Sequence, residues 1–322
     1  MERVVVIATG GTIASQPTMS GLAASLHGRS VVSAVPMTAG LRVDVIDLCT
    51  IDSSCLTIRH QLDLLEQVRV ALADPEVTGV VVTHGTDTLE ESAFLLDLHH
   101  DDPRPVVLTG SQLPLGHEGS DAPRNLSDAF LVAQQARDLG VLIVFNGHVH
   151  AARGTVKRHT LDAHAFGDPS HEPLGRILGG ELLLRPDVQR RSAPLPPPRG
   201  AAPRVDIVTH HSDGDSVLLR ASVAAGARGI VLVGAGTGNA TPEIAEAVRE
   251  ATLAGVVVAV TSRCAAGPVA PVYASGGDLL AAGAILAGHL RASQTRIALL
   301  TALMHTDSPE RCRALLPALL GT

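Results

Sequence analysis

The sequence predicts an α/β fold built as two domains, and three observations carry that prediction. Short, continuously apolar β-branched runs alternate with longer stretches of helical spacing, the pattern of parallel strands covered on both faces by helices. The chain has 322 residues, more than one hydrophobic core usually organises. A proline-rich segment interrupts the alternation about three fifths of the way along.

Taken in order, the expected strands are Val4–Ala8, Gly79–Thr83, Pro105–Leu108, Val141–Phe145, Val205–Thr209, Gly229–Val233, Val256–Thr261 and Arg296–Leu300. Between them, Leu62, Leu65, Val68 and Leu72 form one helical stripe, and Leu126, Phe130 and Ala133 another. Thr241-Pro242-Glu243 is a helix start, with a hydroxyl cap, proline at the first helical position and an acid in the first turn. Such alternation implies parallel sheets joined by right-handed crossovers. Residues Ala193–Pro203 contain five prolines, which block helix and central strand alike and favour a stiff connection. We therefore expect domains at 1–192 and 204–322, with 193–203 as the linker.

Composition narrows the function. The residues are 45% hydrophobic but only 2% aromatic, so the cores must be built from Val, Leu, Ile and Ala. A formal net charge of −7 disfavours nucleic acid or an anionic membrane as the main partner. The cationic clusters at Arg190-Arg191 and Arg311–Arg313 are short and read as solvated surface. Cys49, Cys55, Cys264 and Cys312 form no CxxC or metal spacing and read as reduced, mostly buried thiols. No segment has the length of a membrane helix, and MERVVVIATGG is too short an apolar stretch for a signal peptide. A soluble, cytoplasmic protein is expected.

The informative positions follow the strands, where α/β sheets bind ligands. The first strand runs into Thr9-Gly10-Gly11-Thr12, another into Thr83-His84-Gly85-Thr86-Asp87-Thr88, and a third into Thr109-Gly110-Ser111-Gln112. Glycine permits a sharp turn and close approach of backbone to ligand. Exposed N–H groups can then hold an oxyanion while a neighbouring hydroxyl attacks, provided a base takes its proton. Each turn alone also reads as a capped tight turn. Nucleotide binding is disfavoured, because TGGTIA lacks GxGxxG spacing, the chain has no GxxxxGK, and Gly234–Gly238 has its third glycine one residue early.

Taken together, the turns resemble the bacterial-type L-asparaginase family over nearly the whole chain. VVVIATGGTIA at 4–14 and VVVTHGTDTLEESAF at 80–94 are similar to its two signatures, and PVVLTGSQLPL with SDAPRNLSDAF at 105–130 to the stretch that follows. The resemblance implies a larger, Rossmann-like N-terminal domain carrying the site and a smaller α/β C-terminal one. It implies hydrolysis of L-asparagine to L-aspartate and ammonia, with L-glutamine as a secondary substrate and neither cofactor nor metal.

Position by position, the resemblance assigns the nucleophile to Thr12, with Gly11 in its turn. It makes Thr86 and Asp87, beside Gly85, the second threonine and its aspartate, and Lys157 of GTVKRHTLDAHAF the lysine against that threonine. Ser53 and Ser54 fall where the family binds the α-carboxylate and α-amino groups. Asn239 matches an asparagine that helps complete a neighbouring subunit's site, which implies a homodimer or homotetramer.

One departure stands out. The family carries a tyrosine in the mobile loop after the first motif, yet here Ser15–Val35 has none, and the only tyrosine is Tyr273. Tyr273 replaces that phenol or is a structural turn residue. The loop is a lid or a disordered connection. A binding or sensing protein with weak catalysis is the alternative function, and the missing tyrosine is its only support. The pairs His99-His100, His148/His150 and His210-His211 read as surface or turn histidines, and His84 as a packing and hydrogen-bonding residue; His117-Glu118 lies in a loop before the expected helix of SDAPRNL.

Overall fold

The computed structural model describes residues 2–35, 40–188, 194–198 and 200–322. Arg190-Arg191, Ala193 and Arg199 lie outside the described residues. The chain divides into two compact units, Met1–Leu195 and Pro196–Thr322.

The first unit opens with β1 (Glu2–Gly10), the antiparallel hairpin β2 (Ser15–Thr18) and β3 (Gly21–Ala24), α1 (Gly28–Ser33) and β4 (Leu41–Ile51). It continues through α2 (Ile58–Leu72), β5 (Val77–Thr83), α3 (Leu89–His99), β6 (Val106–Thr109), α4 (Ala122–Gln135) and β7 (Val141–Phe145). The short strands β8 (His148–Ala151), β9 (Val156–Lys157), β10 (Phe166–Gly167), β11 (Gly175–Leu178) and β12 (Glu181–Leu184) complete it.

One sheet runs in the order β12-β11-β8-β7-β6-β5-β1-β4. Its five strands from β4 to β7 are parallel. The chain leaves β1 for β4 on one side and then crosses to β5 on the other. The ends of β1 and β5 therefore flank the point where strand order reverses, which is where open α/β sheets leave a crevice. Successive residues of β1 serve opposite faces: Val4 and Val6 pack with α1 and α4, while Val5 and Ile7 pack with α2 and α3.

The expectation of purely parallel sheets is corrected here, since β8, β11 and β12 are antiparallel to their neighbours. The cause is local. Asn146 (φ 48°) and Gly147 (φ 74°) form a two-residue turn with both centres in the left-handed region, so β7 folds straight back into β8 instead of crossing over. The Ser15–Val35 segment is likewise no disordered connection. It forms the β2–β3 hairpin, with Ser15 paired to Ala24, followed by α1.

The second unit comprises β13 (Val205–Thr209), α5 (Val217–Ala224), β14 (Gly229–Gly234), α6 (Pro242–Leu253), β15 (Val257–Ser262), α7 (Ala274–Ala281), β16 (Ile285–Leu286), α8 (Ala292–His305) and α9 (Pro309–Leu320). Its sheet, β13-β14-β15-β16, is parallel throughout. Thr241 caps α6 by accepting from the Ile244 N–H, with Pro242 and Glu243 in the first turn as the sequence predicts.

The strand expected at Arg296–Leu300 is the middle of α8. That helix is buried from Ile297 to Met304 without a polar face, so its short apolar run mimics a covered strand. Gly229 of β14 makes room for it, because a Cβ there would lie 2.8 Å from a Leu299 methyl. No helix among the described residues is long and apolar enough to cross a membrane.

Candidate active site

At the end of β1, Gly10 (φ 97°) and Gly11 (φ 78°) turn the backbone through conformations that side chains resist. Close approach is the second reason for glycine. A Cβ on Gly10 would lie 2.5 Å from the Ile51 backbone, and one on Gly11 would lie 2.2 Å from the Cα of Gly85. The turn after β1 thus rests directly on the turn after β5. The Gly11 carbonyl accepts from Ala14 N (3.0 Å) and Ser15 Oγ (2.9 Å), closing a single helical turn that begins with the half-buried Thr12.

The turn after β5 is held from beneath by His84. Its Nδ1–H donates to the Gly85 carbonyl (2.7 Å), so its Nε2 accepts from Ser92 Oγ (2.9 Å) on α3. Burial lowers its pKa to about 4 and keeps the ring neutral, which suits the brace expected from the sequence. From the side, Ser53 clamps the same turn: its Oγ accepts from Asp87 N (3.1 Å), and its carbonyl accepts from Thr88 Oγ1 (2.9 Å). Ser53 is buried in this contact, whereas Ser54 beside it is exposed.

Thr86 is buried, and its Oγ1 receives a hydrogen bond of 2.7 Å from Lys157 Nζ. The same ammonium donates to Asp87 Oδ1 at 2.8 Å, with the lysine side chain 18% exposed and the aspartate 60%. An ion pair this open contributes little to stability, so its effect is to orient the amine. Lys157 reaches the turn from β9, and its backbone N–H is anchored on the Glu90 carboxylate of α3. With the amine on one side, the Thr86 hydroxyl points its proton toward Gln112 Oε1, at a long 3.5 Å.

Gln112 belongs to the third glycine turn. A Cβ on Gly110 would lie 2.3 Å from the His84 carbonyl, so this turn also packs on its neighbour. Asp121 fixes it, accepting from the N–H groups of Gln112 and Leu113 and from Asn125 Nδ2. Gln112 Nε2 in turn donates to the Asp162 carbonyl (3.0 Å). Glu90 and Asp121 are supporting residues that the sequence reading missed, and Gln112 was named there only as part of its turn. Asp121 and Glu90 sit inside the segments quoted for their motifs, but only the tertiary fold shows which backbone each one holds. His117 and Glu118 stay exposed in the loop before α4.

Gly11, Thr12, Ser53, Ser54, Gly85, Thr86, Asp87 and Lys157 all belong to the first unit, and the contacts above link their turns. Asn239 and Tyr273 belong to the second unit. Asn239 Oδ1 accepts from Ser275 Oγ (3.1 Å) in the first turn of α7, and Tyr273, 61% exposed, precedes that helix.

Two side readings need correction. His99 at the end of α3, His100 just after it and His150 of β8 are buried rather than on the surface; His100 Nε2 bonds the Arg104 carbonyl at 2.8 Å. Cys55 and Cys264 are exposed and only Cys312 is buried, so the four free thiols are not mostly interior. Among the described residues no group of three or more His, Cys, Asp or Glu side chains is arranged to hold a metal ion.

Thr86, Lys157 and Asp87 thus join a hydroxyl, an amine and a carboxylate at the switch point of a doubly wound sheet. The chain belongs to the asparaginase family of amidohydrolases: residues 3–190 match "Asparaginase, N-terminal" and residues 204–316 match "Glutaminase/Asparaginase C-terminal domain". It is 34% identical over 310 residues to the L-asparaginase of Bacillus licheniformis, covering 92% of this chain and 94% of that one. It is 36% identical over 173 residues to the glutaminase-asparaginase of Acinetobacter glutaminasificans, covering 51% and 52% of the two chains. The crystal structure of a probable cytoplasmic L-asparaginase from Campylobacter jejuni superposes with a TM-score of 0.89 at 31% identity, covering 98% of this chain and 99% of that one.

Proposed function

We propose that this protein hydrolyses the side-chain amide of L-asparagine to L-aspartate and ammonia through a threonine acyl-enzyme, with L-glutamine as a secondary substrate. The observation that carries the reading is the 2.7 Å hydrogen bond between Lys157 Nζ and Thr86 Oγ1, with Asp87 balancing the amine. In this mechanism Thr12 Oγ bonds to the amide carbon, and the oxyanion is held by backbone N–H groups of the glycine turns. The C–N bond then breaks. The hydroxyl proton goes to the departing nitrogen, which leaves as ammonia. Water next attacks the threonyl ester, the Thr86–Lys157 pair relays its proton, and aspartate leaves as Thr12 regains a hydrogen.

Substrate recognition is assigned to the same turns. Asp87 faces the substrate ammonium, Ser54 offers an exposed hydroxyl to the α-carboxylate, and Ser53 keeps both in register. The β2–β3 hairpin follows Thr12 directly and serves as the cover that excludes water. Asn239 and Tyr273 complete the site of a neighbouring subunit in a homodimer or homotetramer, Tyr273 supplying the phenol that the hairpin lacks. Residues 193–203 act as the linker between domains 1–192 and 204–322. We place the enzyme in the cytoplasm.

Ammonia release measured side by side on L-asparagine, L-glutamine and D-asparagine tests the reading. Turnover fastest on L-asparagine supports it. Tight calorimetric binding of L-asparagine without turnover would reverse it in favour of a sensing protein.

A further inference from the structure

Lys157 is the only lysine among the 25 Lys and Arg residues of the chain. A guanidinium keeps its proton at any pH at which the protein is folded, so this amine alone among them can hand one on. Where the backbone holds it therefore matters.

The strand that carries Lys157 is slight. β9 has two residues and forms with β10 a ribbon separate from the eight-stranded sheet. The core fixes β10, because Phe166 is 1% exposed and its ring meets that of Phe145 at 5.0 Å. Successive N–H groups along an extended strand point to opposite sides. That of Arg158 bonds the Ala165 carbonyl across the ribbon, and that of Lys157 faces the other way, where Glu90 Oε2 accepts it.

Glu90 is the second residue of α3, the helix that follows directly on the turn of Thr86 and Asp87. The short stretch 86–90 thus grips one lysine at both ends. Glu90 takes its backbone N–H, while Thr86 Oγ1 and Asp87 Oδ1 accept from its Nζ at 2.7 and 2.8 Å. A lysine side chain is flexible, with about 2 kcal/mol of rotamer entropy, so its reach depends on where its backbone stands. Here that backbone is set by the same segment that presents the hydroxyl.

A carboxylate in the first turn of a helix also has a simpler use, since it offsets the positive end of the helix dipole. That use needs only the charge. The contact with Lys157 needs an oxygen at the right distance, so the two uses can be separated.

We propose that Glu90 is a positioning residue for the hydrolysis put forward above, on which this inference rests. Its carboxylate oxygen sets β9 so that the Lys157 amine meets Thr86 Oγ1.

The test compares two mild substitutions in the full-length chain. Glu90→Gln keeps the length and an acceptor oxygen but loses the charge. Glu90→Asp keeps the charge but draws the oxygen back by one methylene. Melting curves will show that both fold. Glu90→Asp should lower kcat for L-asparagine by about 10–10²-fold, the cost of misplacing a group by roughly 1 Å, with KM changing less. Glu90→Gln should retain most of the wild-type rate. The amine is also observed directly, because protein labelled with ¹³Cε,¹⁵Nζ-lysine gives a single side-chain signal from its one lysine. Thr86→Val supplies the reference for an amine that has lost its hydroxyl. The signal of Glu90→Asp should move toward that reference, and the signal of Glu90→Gln should stay with wild type. A wild-type rate and signal in Glu90→Asp, or equal losses in the two variants, would overturn the proposal. If the wild-type chain releases no ammonia, the hydrolysis reading fails by itself, and the lysine signal still decides whether Glu90 places the amine.

Discussion

Gly11 and Gly85 are in backbone contact: a methyl group on the first would sit 2.2 Å from the Cα of the second. This contact brings the turn that carries Thr12 against the turn that carries Thr86. It requires two residues without side chains at the ends of adjacent parallel strands, and it explains why both motifs are built around glycine.

Gly11→Ala therefore tests the contact directly. The added methyl meets backbone, which cannot swing aside, and the φ of 78° adds strain. Stability should fall by about 1–3 kcal/mol, and turnover by more than the stability loss accounts for. Urea unfolding and ammonia release on the same preparation check both.

Lys157→Met keeps the length of the side chain but removes the amine from Thr86 and Asp87. The expected loss is in kcat, by roughly 10²–10⁴-fold, the range for removing a group that handles protons. Stability should barely change, because the ion pair is open to solvent on the Asp87 side. Steady-state kinetics and a melting curve separate these outcomes.

Ser53 and Ser54 are neighbours with opposite expected effects. Ser53→Ala strips the acceptor from Asp87 N–H and should cost about 1–3 kcal/mol of stability. Ser54→Ala removes an exposed hydroxyl and should leave the melting temperature within error while raising KM for L-asparagine. An equal thermal shift in the two variants would remove the distinction.

Acid should destabilise the fold through His84 and His150. Both have folded-state pKa values lowered to about 4 by burial, against an ordinary value of 6.5. Between those values the unfolded chain binds more protons, so stability rises with pH there. The contribution is fully present above pH ~6.5 and is lost as pH falls toward ~4, on the order of a few kcal/mol for each histidine. Urea midpoints across that window should fall steadily, and His84→Gln should flatten the slope.

How much was legible follows from what each residue was chosen for. The turns that carry Thr12, Thr86 and Asp87 were legible because a glycine turn after a strand leaves a compact local signal, while the roles expected of these residues came from the family resemblance. Lys157 emerged from the family resemblance, since nothing local in β9 distinguishes it from a surface lysine. The hairpin at Asn146-Gly147 was readable in principle, because Asn-Gly between apolar runs is the strongest short hairpin signal. β4 escaped because Arg42, Asp44 and Asp47 break its apolar pattern on a partly exposed edge strand. α8 was misread because a helix buried on all sides shows no period. Glu90 and Gln112 act on backbone far along the chain, at Lys157 and Asp162, and Asp121 ties back the loop just before its own helix, a link that no residue pattern announces.

The account stands on the hydroxyl of Thr12 as the attacking group, and turnover of L-asparagine by Thr12→Ala tests it most directly. With Thr86 and Lys157 in place, the variant should still bind L-aspartate but lose at least about 10³-fold in kcat, because no covalent route remains. Near-normal ammonia release from Thr12→Ala would contradict the threonine acyl-enzyme at its first step.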